Sequence, residues 1–124
     1  MYALEVAVAL LGLTVVIGAA FGIAVLRQPN RPPSRWLAAL HGHAAMFGLG
    51  ALLAALTYPA QGTVTGTQSF RAIAAVLLFL AAGLGLVSLW FHGRRRTLPG
   101  FWTGAHATIA IIGYVLLAVY LLAG

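Results

Sequence analysis

The sequence predicts an all-α integral membrane protein, a bundle of four transmembrane helices. The chain has 124 residues, of which 62% are hydrophobic and 6% are charged, a composition typical of membrane proteins. Four apolar runs are long enough to cross a hydrocarbon core of about 30 Å, which takes roughly 20 helical residues. No run alternates as a barrel strand does. The predicted spans are 4–26, 36–58, 72–91 and 103–123, within a single domain over residues 1–124.

The arginines predict how the spans are oriented. All seven basic residues are arginine, and six lie in two short connections, as Arg27, Arg31 and Arg35 and as residues 94–96. The connection between the second and third spans, residues 59–68, carries no charge. By the positive-inside rule, both arginine-bearing connections are cytoplasmic and both termini lie outside. We therefore expect a protein of a bacterial inner membrane, with the lipid bilayer as partner and no nucleic acid despite the net charge of +6.

The two halves of the chain, residues 1–60 and 66–124, match when one is shifted by a constant number of positions. His41 then falls on His106 and Gly48 on Gly113. Other matched pairs are Gly18 with Gly83, Arg31 with Arg96, and Trp36 with Phe101. This pattern predicts two repeated transmembrane hairpins related by an axis along the membrane normal. Alternatively, some of the identities between the two halves arise only because both halves are rich in alanine and leucine.

The paired histidines predict a haem site between helices two and four. Each lies about 8 Å inside its span at 1.5 Å per residue, where ionisable residues usually face the bundle interior or a functional site. Gly48 and Gly113 each follow their histidine by two helical turns along the same face, and would leave a flat recess for a porphyrin. His41 and His106 would then be the axial ligands of one haem b. Arg35 and Arg96 would neutralise its propionates.

Other assignments of the histidines remain open at this point. A histidine near a helix end is often a structural residue that reaches water or a backbone carbonyl. His43 is the alternative haem ligand, but it is rotated by about 200° from His41 along a helix. His92 is explained by favourable placement at a helix C-terminus. Zinc or copper is disfavoured because the chain has no cysteine and Glu5 is its single carboxylate residue.

The segment Arg35-Trp-Leu-Ala-Ala-Leu-His-Gly-His-Ala-Ala-Met-Phe-Gly48, continuing to Tyr58-Pro59, resembles the second helix of subunit I in the haem–copper oxidase and nitric-oxide reductase superfamily. The resemblance is confined to this segment. It implies that His41, or else His43, is a low-spin haem ligand. The chain departs from that superfamily in lacking its further helices and the histidines of its copper-bearing site, so we do not expect a complete oxidase.

The layout with histidines on helices two and four is also similar to the small four-helix b-type cytochromes. Those cytochromes normally carry a second histidine pair near the opposite membrane face. Because the outer side of the predicted bundle has no histidine, that resemblance implies at most one haem here. We expect an electron-transfer protein working with a redox-partner subunit or a quinol, an electron carrier more than a stand-alone enzyme. The alternative is a cofactor-free accessory subunit of a larger respiratory complex. A quinone near Glu5 or Arg71, and a homo- or hetero-oligomer, stay open.

Overall fold

The computed structural model describes residues 2–28, 30–60, 66–94 and 100–123, and these ranges contain helices joined by turns and no strand. All four helices are long and apolar enough to cross a membrane, which confirms the predicted all-α class and the number of spans. The helices are α1 (Tyr2–Arg27), α2 (Arg35–Leu56), α3 (Gln68–Gly93) and α4 (Gly100–Ala123). Each begins before its predicted span, because a helix continues beyond the purely apolar run.

Polar residues at the ends of α2 explain its bounds. At the start, Ser34 has an extended backbone and its side chain accepts a hydrogen bond from the Leu37 backbone N–H, as an N-cap does. At the other end, Thr57 is the C-cap, and its hydroxyl donates to the Ala54 carbonyl at 2.7 Å. Pro59 disfavours a helical backbone in the residue before it. The helix therefore ends at Leu56, slightly before the predicted end of the span.

The chain divides into two compact units, Met1–Tyr58 and Pro59–Gly124. The first is the hairpin of α1 and α2, and the second is the hairpin of α3 and α4. These bounds lie close to those expected for the two repeats, while the single four-helix domain expected over residues 1–124 stays a prediction. Below, the two units are called the first and the second hairpin.

Each hairpin has a narrow buried seam made mostly of small residues and leucines, with Tyr120 as the one large aromatic side chain among the described buried residues. In the first hairpin, Leu11 of α1 packs beside Gly48, while His41 packs beside Gly18. Moving from Leu11 to Gly18 along α1 therefore corresponds to moving back from Gly48 to His41 along α2, so the two helices are antiparallel. The rest of the helix surface is apolar and exposed: only 11–22% of the residues in the four most apolar windows are buried within the protein. Such a surface suits lipid, where small residues allow close helix contact.

Arg71 links three parts of the second hairpin near the start of α3. Its Nη1 donates to the Pro59 carbonyl at 3.5 Å, and its guanidinium carbon lies 5.9 Å from the centroid of the Tyr120 ring. The Tyr120 side chain is almost completely buried. Arg71 therefore holds the chain before α3 and the end of α4 against the start of α3.

We expect Arg71→Gln to lower the free energy of unfolding by about 1 kcal/mol, since a cation–π contact at a partly exposed site contributes about 0.5–1 kcal/mol. Reversible unfolding in mixed detergent micelles measures this change. Arg27→Gln is the matched control, because Arg27 is an exposed residue in the last turn of α1. Equal stability of the two variants would show that the contacts of Arg71 contribute nothing.

Candidate functional site: a histidine and a glycine in each hairpin

The ring of His41 is anchored to a backbone carbonyl of the neighbouring helix. Its Nδ1 lies 3.0 Å from the Thr14 carbonyl oxygen. Because a carbonyl oxygen only accepts, Nδ1 must carry the proton in this hydrogen bond. In the neutral ring, Nε2 then carries the lone pair. The contact thus sets the tautomer as well as the position of the ring, which is half-buried in the first hairpin.

A glycine one turn along α1 makes room for this ring. A Cβ atom placed on Gly18 would lie 2.8 Å from Cε1 of His41 and 3.1 Å from its Nδ1. Thr14 and Gly18 are one helical turn apart, so the carbonyl and the glycine lie on one face of α1. The His41 ring therefore packs against α1 at a point where a larger residue than glycine would meet it.

The second hairpin repeats this arrangement. Nδ1 of His106 lies 2.8 Å from the Ala81 carbonyl oxygen, and a Cβ atom on Gly85 would lie 3.1 Å from Cε1 of the ring. Ala81 and Gly85 are again one helical turn apart. We call each set a histidine clasp: His41 with Thr14 and Gly18, and His106 with Ala81 and Gly85.

The clasps reveal a register that the uniform shift between the two halves of the sequence missed. That shift pairs Gly18 with Gly83, yet a Cβ atom on Gly83 would have no heavy atom within 4 Å outside its own helix. The glycine in contact with His106 is Gly85 instead. The stretch from the glycine to the histidine is therefore slightly shorter in the second hairpin than in the first. The correspondence between Gly18 and Gly85 can be found in the sequence, but only if the alignment of the two halves allows a gap between the glycine and the histidine.

Gly48 and Gly113 contact leucines of their own hairpins where an open recess was expected. A Cβ atom on Gly48 would lie 2.8 Å from Cγ of Leu11 and 3.2 Å from its backbone nitrogen. A Cβ atom on Gly113 would lie 3.0 Å from Cγ of Leu78. Both glycines are buried. Their observed role is close packing between the two helices of a hairpin, and a role toward a cofactor stays a prediction.

The remaining histidines have different surroundings. Nδ1 of His43 lies 2.7 Å from the Ala39 carbonyl of its own helix, and the side chain is exposed. His92 is also exposed, in the last turn of α3. Their surroundings therefore differ from those of the two clasp histidines. Within the described ranges, no group of three or more His, Asp or Glu residues could hold a metal ion.

The cationic residues expected beside the site are only partly described. Arg35 is exposed and is the first residue of α2, in the same helix as His41 and ahead of it. Arg96 lies outside the described residues. Arg94, at the end of α3, has its guanidinium carbon 4.3 Å from the centroid of the Trp90 ring. The structure therefore places one of the two predicted counter-charges near the histidine-bearing end of its hairpin.

Trp102 adds a polar group that the sequence did not single out. Its indole Nε1 is buried and has no hydrogen-bond partner within the part of the chain that the structure describes. The residue lies one helical turn before His106, and hence on the same face of α4. A buried donor of this kind costs about 1–3 kcal/mol when it is left without an acceptor.

Together, the two clasps present two imidazoles with defined tautomers at equivalent positions in their helices. His41 and His106 are each the seventh residue of their helix. A metal-binding histidine usually donates its other ring N–H to a carbonyl, carboxylate or water, which fixes the tautomer and raises the basicity of the ligating nitrogen. The clasps have that chemistry. Comparisons with models of protein families, with curated proteins and with solved structures found no match to this chain.

Proposed function

We propose that this protein is a membrane electron-transfer protein of the b-type cytochrome kind, which binds one haem through His41 and His106. The observation that carries the proposal is the Nδ1 hydrogen bond of each ring to a carbonyl, at 3.0 Å and 2.8 Å. Both bonds put the lone pair of the neutral ring on Nε2, the nitrogen that would bind iron. The donor set therefore fits haem, for which two neutral imidazoles are suitable axial ligands.

The chain's own residues would hold and tune such a group. The carbonyls of Thr14 and Ala81 orient the rings and would raise the electron density at Nε2, which would favour the oxidised state of a bound haem. Arg35 and Arg96 would supply positive charge to the propionates. Apolar side chains along the helices exclude water. When bound, haem supplies one-electron redox chemistry, so a quinol or a redox-partner subunit is the expected donor or acceptor.

We also infer that the hairpins are repeats with the same orientation in the membrane. The matching clasps support this inference, although Gly18 and Gly85 lie slightly further apart in the chain than His41 and His106. Six of the seven arginines lie in or beside the connections within the hairpins, which favours cytoplasmic connections and external termini. A bacterial inner membrane is the location consistent with that orientation.

The absorption spectrum of the full chain, purified from haem-sufficient cells, tests the proposal. We expect dithionite-reducible b-type bands and one haem per chain. His41→Ala and His106→Ala should each abolish the bands, because both imidazoles would be needed to hold the haem. His43→Ala and His92→Ala are the matched controls and should leave the spectrum unchanged. A colourless wild-type protein would refute haem binding, and loss of the bands in His43→Ala alone would refute the assignment to His41.

A cofactor-free accessory subunit is the second candidate function. The observation that favours it is that each ring already packs on a glycine and bonds a carbonyl inside its own hairpin. A purely structural clasp would serve to hold two helices together. In that case the protein would be colourless, and His41→Ala would lower hairpin stability without any change in absorbance. The same spectra therefore separate the two functions.

A further inference from the structure

The end of the first hairpin at which α1 and α2 are joined carries an unusual concentration of exposed positive charge. Arg27 is the last residue of α1, and Arg31 follows in the connection; both side chains are exposed. The backbone N–H of Arg31 donates to the Gln28 carbonyl at 3.0 Å, which closes the turn. Arg31 is thereby held close to the end of α1, a short distance along the chain from Arg27.

No acidic side chain in the chain is placed to neutralise these charges. Glu5 is its single acidic residue, and it lies in the first turn of α1. The helix between Glu5 and Arg27 is about 33 Å long at 1.5 Å per residue. Screening at physiological ionic strength has a length of about 8 Å. Arg27 and Arg31 must therefore find their counter-charges outside the chain.

Two large, exposed apolar side chains lie close to the two arginines along the chain. Leu26 is 81% exposed and Trp36 is 77% exposed. Because α1 and α2 are both able to span a membrane, the residues that join them lie at its surface. Tryptophan is enriched at that depth, and arginine can extend its aliphatic part along the lipid while its guanidinium reaches the headgroups.

We propose that Leu26, Arg27, Arg31 and Trp36 form a binding surface for anionic phospholipids, here called the basic end. Guanidinium groups bind phosphate oxygens in bidentate fashion, while Leu26 and Trp36 contact the upper acyl chains. A zwitterionic lipid carries its own cation beside the phosphate, so an excess of arginine selects lipids with net negative charge. The surface does not use Arg35 and does not depend on the haem proposal.

Lipid selectivity of the full chain in nanodiscs tests this surface. Spin-labelled phosphatidylglycerol and phosphatidylcholine report by electron paramagnetic resonance how strongly each lipid associates with the protein. We expect the wild type to prefer phosphatidylglycerol, and Arg27→Gln/Arg31→Gln to reduce that preference by about five-fold per arginine removed. Arg27→Lys/Arg31→Lys should retain part of it, because charge remains but bidentate geometry is lost. Circular dichroism checks that each variant keeps its helices.

Arg71→Gln is the matched control, since it removes a positive charge from the other end of a hairpin. Three results would each overturn the proposal: equal association of both lipids with the wild type, an equal loss of selectivity in Arg71→Gln, or displacement of phosphatidylglycerol by millimolar inorganic phosphate. The last result would assign the basic end to a free anion. Retention of selectivity in phosphate, together with its loss in the double glutamine variant, supports the lipid.

Discussion

Gly48→Ala is expected to destabilise the first hairpin by about 2–3 kcal/mol, the upper part of the range for overpacking a well-packed contact. The added Cβ atom would lie 2.8 and 2.9 Å from two side-chain carbons of Leu11 and 3.2 Å from its backbone nitrogen. Leu11 is only 3% exposed, so its side chain has little space to move into. Relief requires α1 and α2 to separate, which would weaken the whole seam.

Reversible unfolding of the full chain in mixed micelles measures this loss. Gly50→Ala is the matched control, because a Cβ atom there would meet no heavy atom within 4 Å outside its own helix. That variant should be neutral or more stable by up to about 1 kcal/mol, as alanine has the higher helix propensity. If Gly48→Ala and Gly50→Ala had the same stability, the close contact between Gly48 and Leu11 would not exist.

Gly18→Ala is expected to displace the ring of His41 and to lower stability by about 1–2 kcal/mol, the sum of a typical hydrogen bond and slight overpacking. The new Cβ atom would lie 2.8 Å from Cε1 of the ring, but a side chain can swing away more easily than a helix can shift. The swing would break the hydrogen bond to the Thr14 carbonyl. Gly85→Ala should have the same effect on His106 to a smaller extent, because that distance is 3.1 Å.

Nitrogen-15 magnetic resonance of the histidine rings measures this effect directly. Loss of the Nδ1-protonated signal of His41 is expected in Gly18→Ala and not in its control Gly22→Ala, where a new Cβ atom would meet nothing within 4 Å. In the second hairpin, Gly85→Ala has Gly83→Ala as its control. Disturbance of His106 by Gly83→Ala, with none by Gly85→Ala, would restore the uniform shift between the halves and reject the register seen in the clasps.

The helices could be predicted from the sequence because lipid leaves few alternatives. Long apolar runs such as that in α3 must be helical to satisfy their own backbone groups. The apolar runs predicted each helix bound to within four residues. Helix α2 ends at Leu56, before its predicted end, because Thr57 caps it and Pro59 follows. His41 and His106 could also be singled out from the sequence, since an ionisable residue inside an apolar run is uncommon.

The pattern of residues alone thus predicts the number of helices and their approximate bounds, and it singles out the two histidines that contact the neighbouring helix of their hairpin. The packing of the helices was needed to show that Gly85, rather than Gly83, contacts His106, and that Leu11 occupies the space beside Gly48. Helix formation is local, whereas the register between two helices depends on the whole stretch of chain that links the residues in contact. The stretch between the contacting glycine and histidine is slightly shorter in the second hairpin, and this difference decides which glycine contacts the ring. The periodicity of residues within a single helix contains no information about that difference.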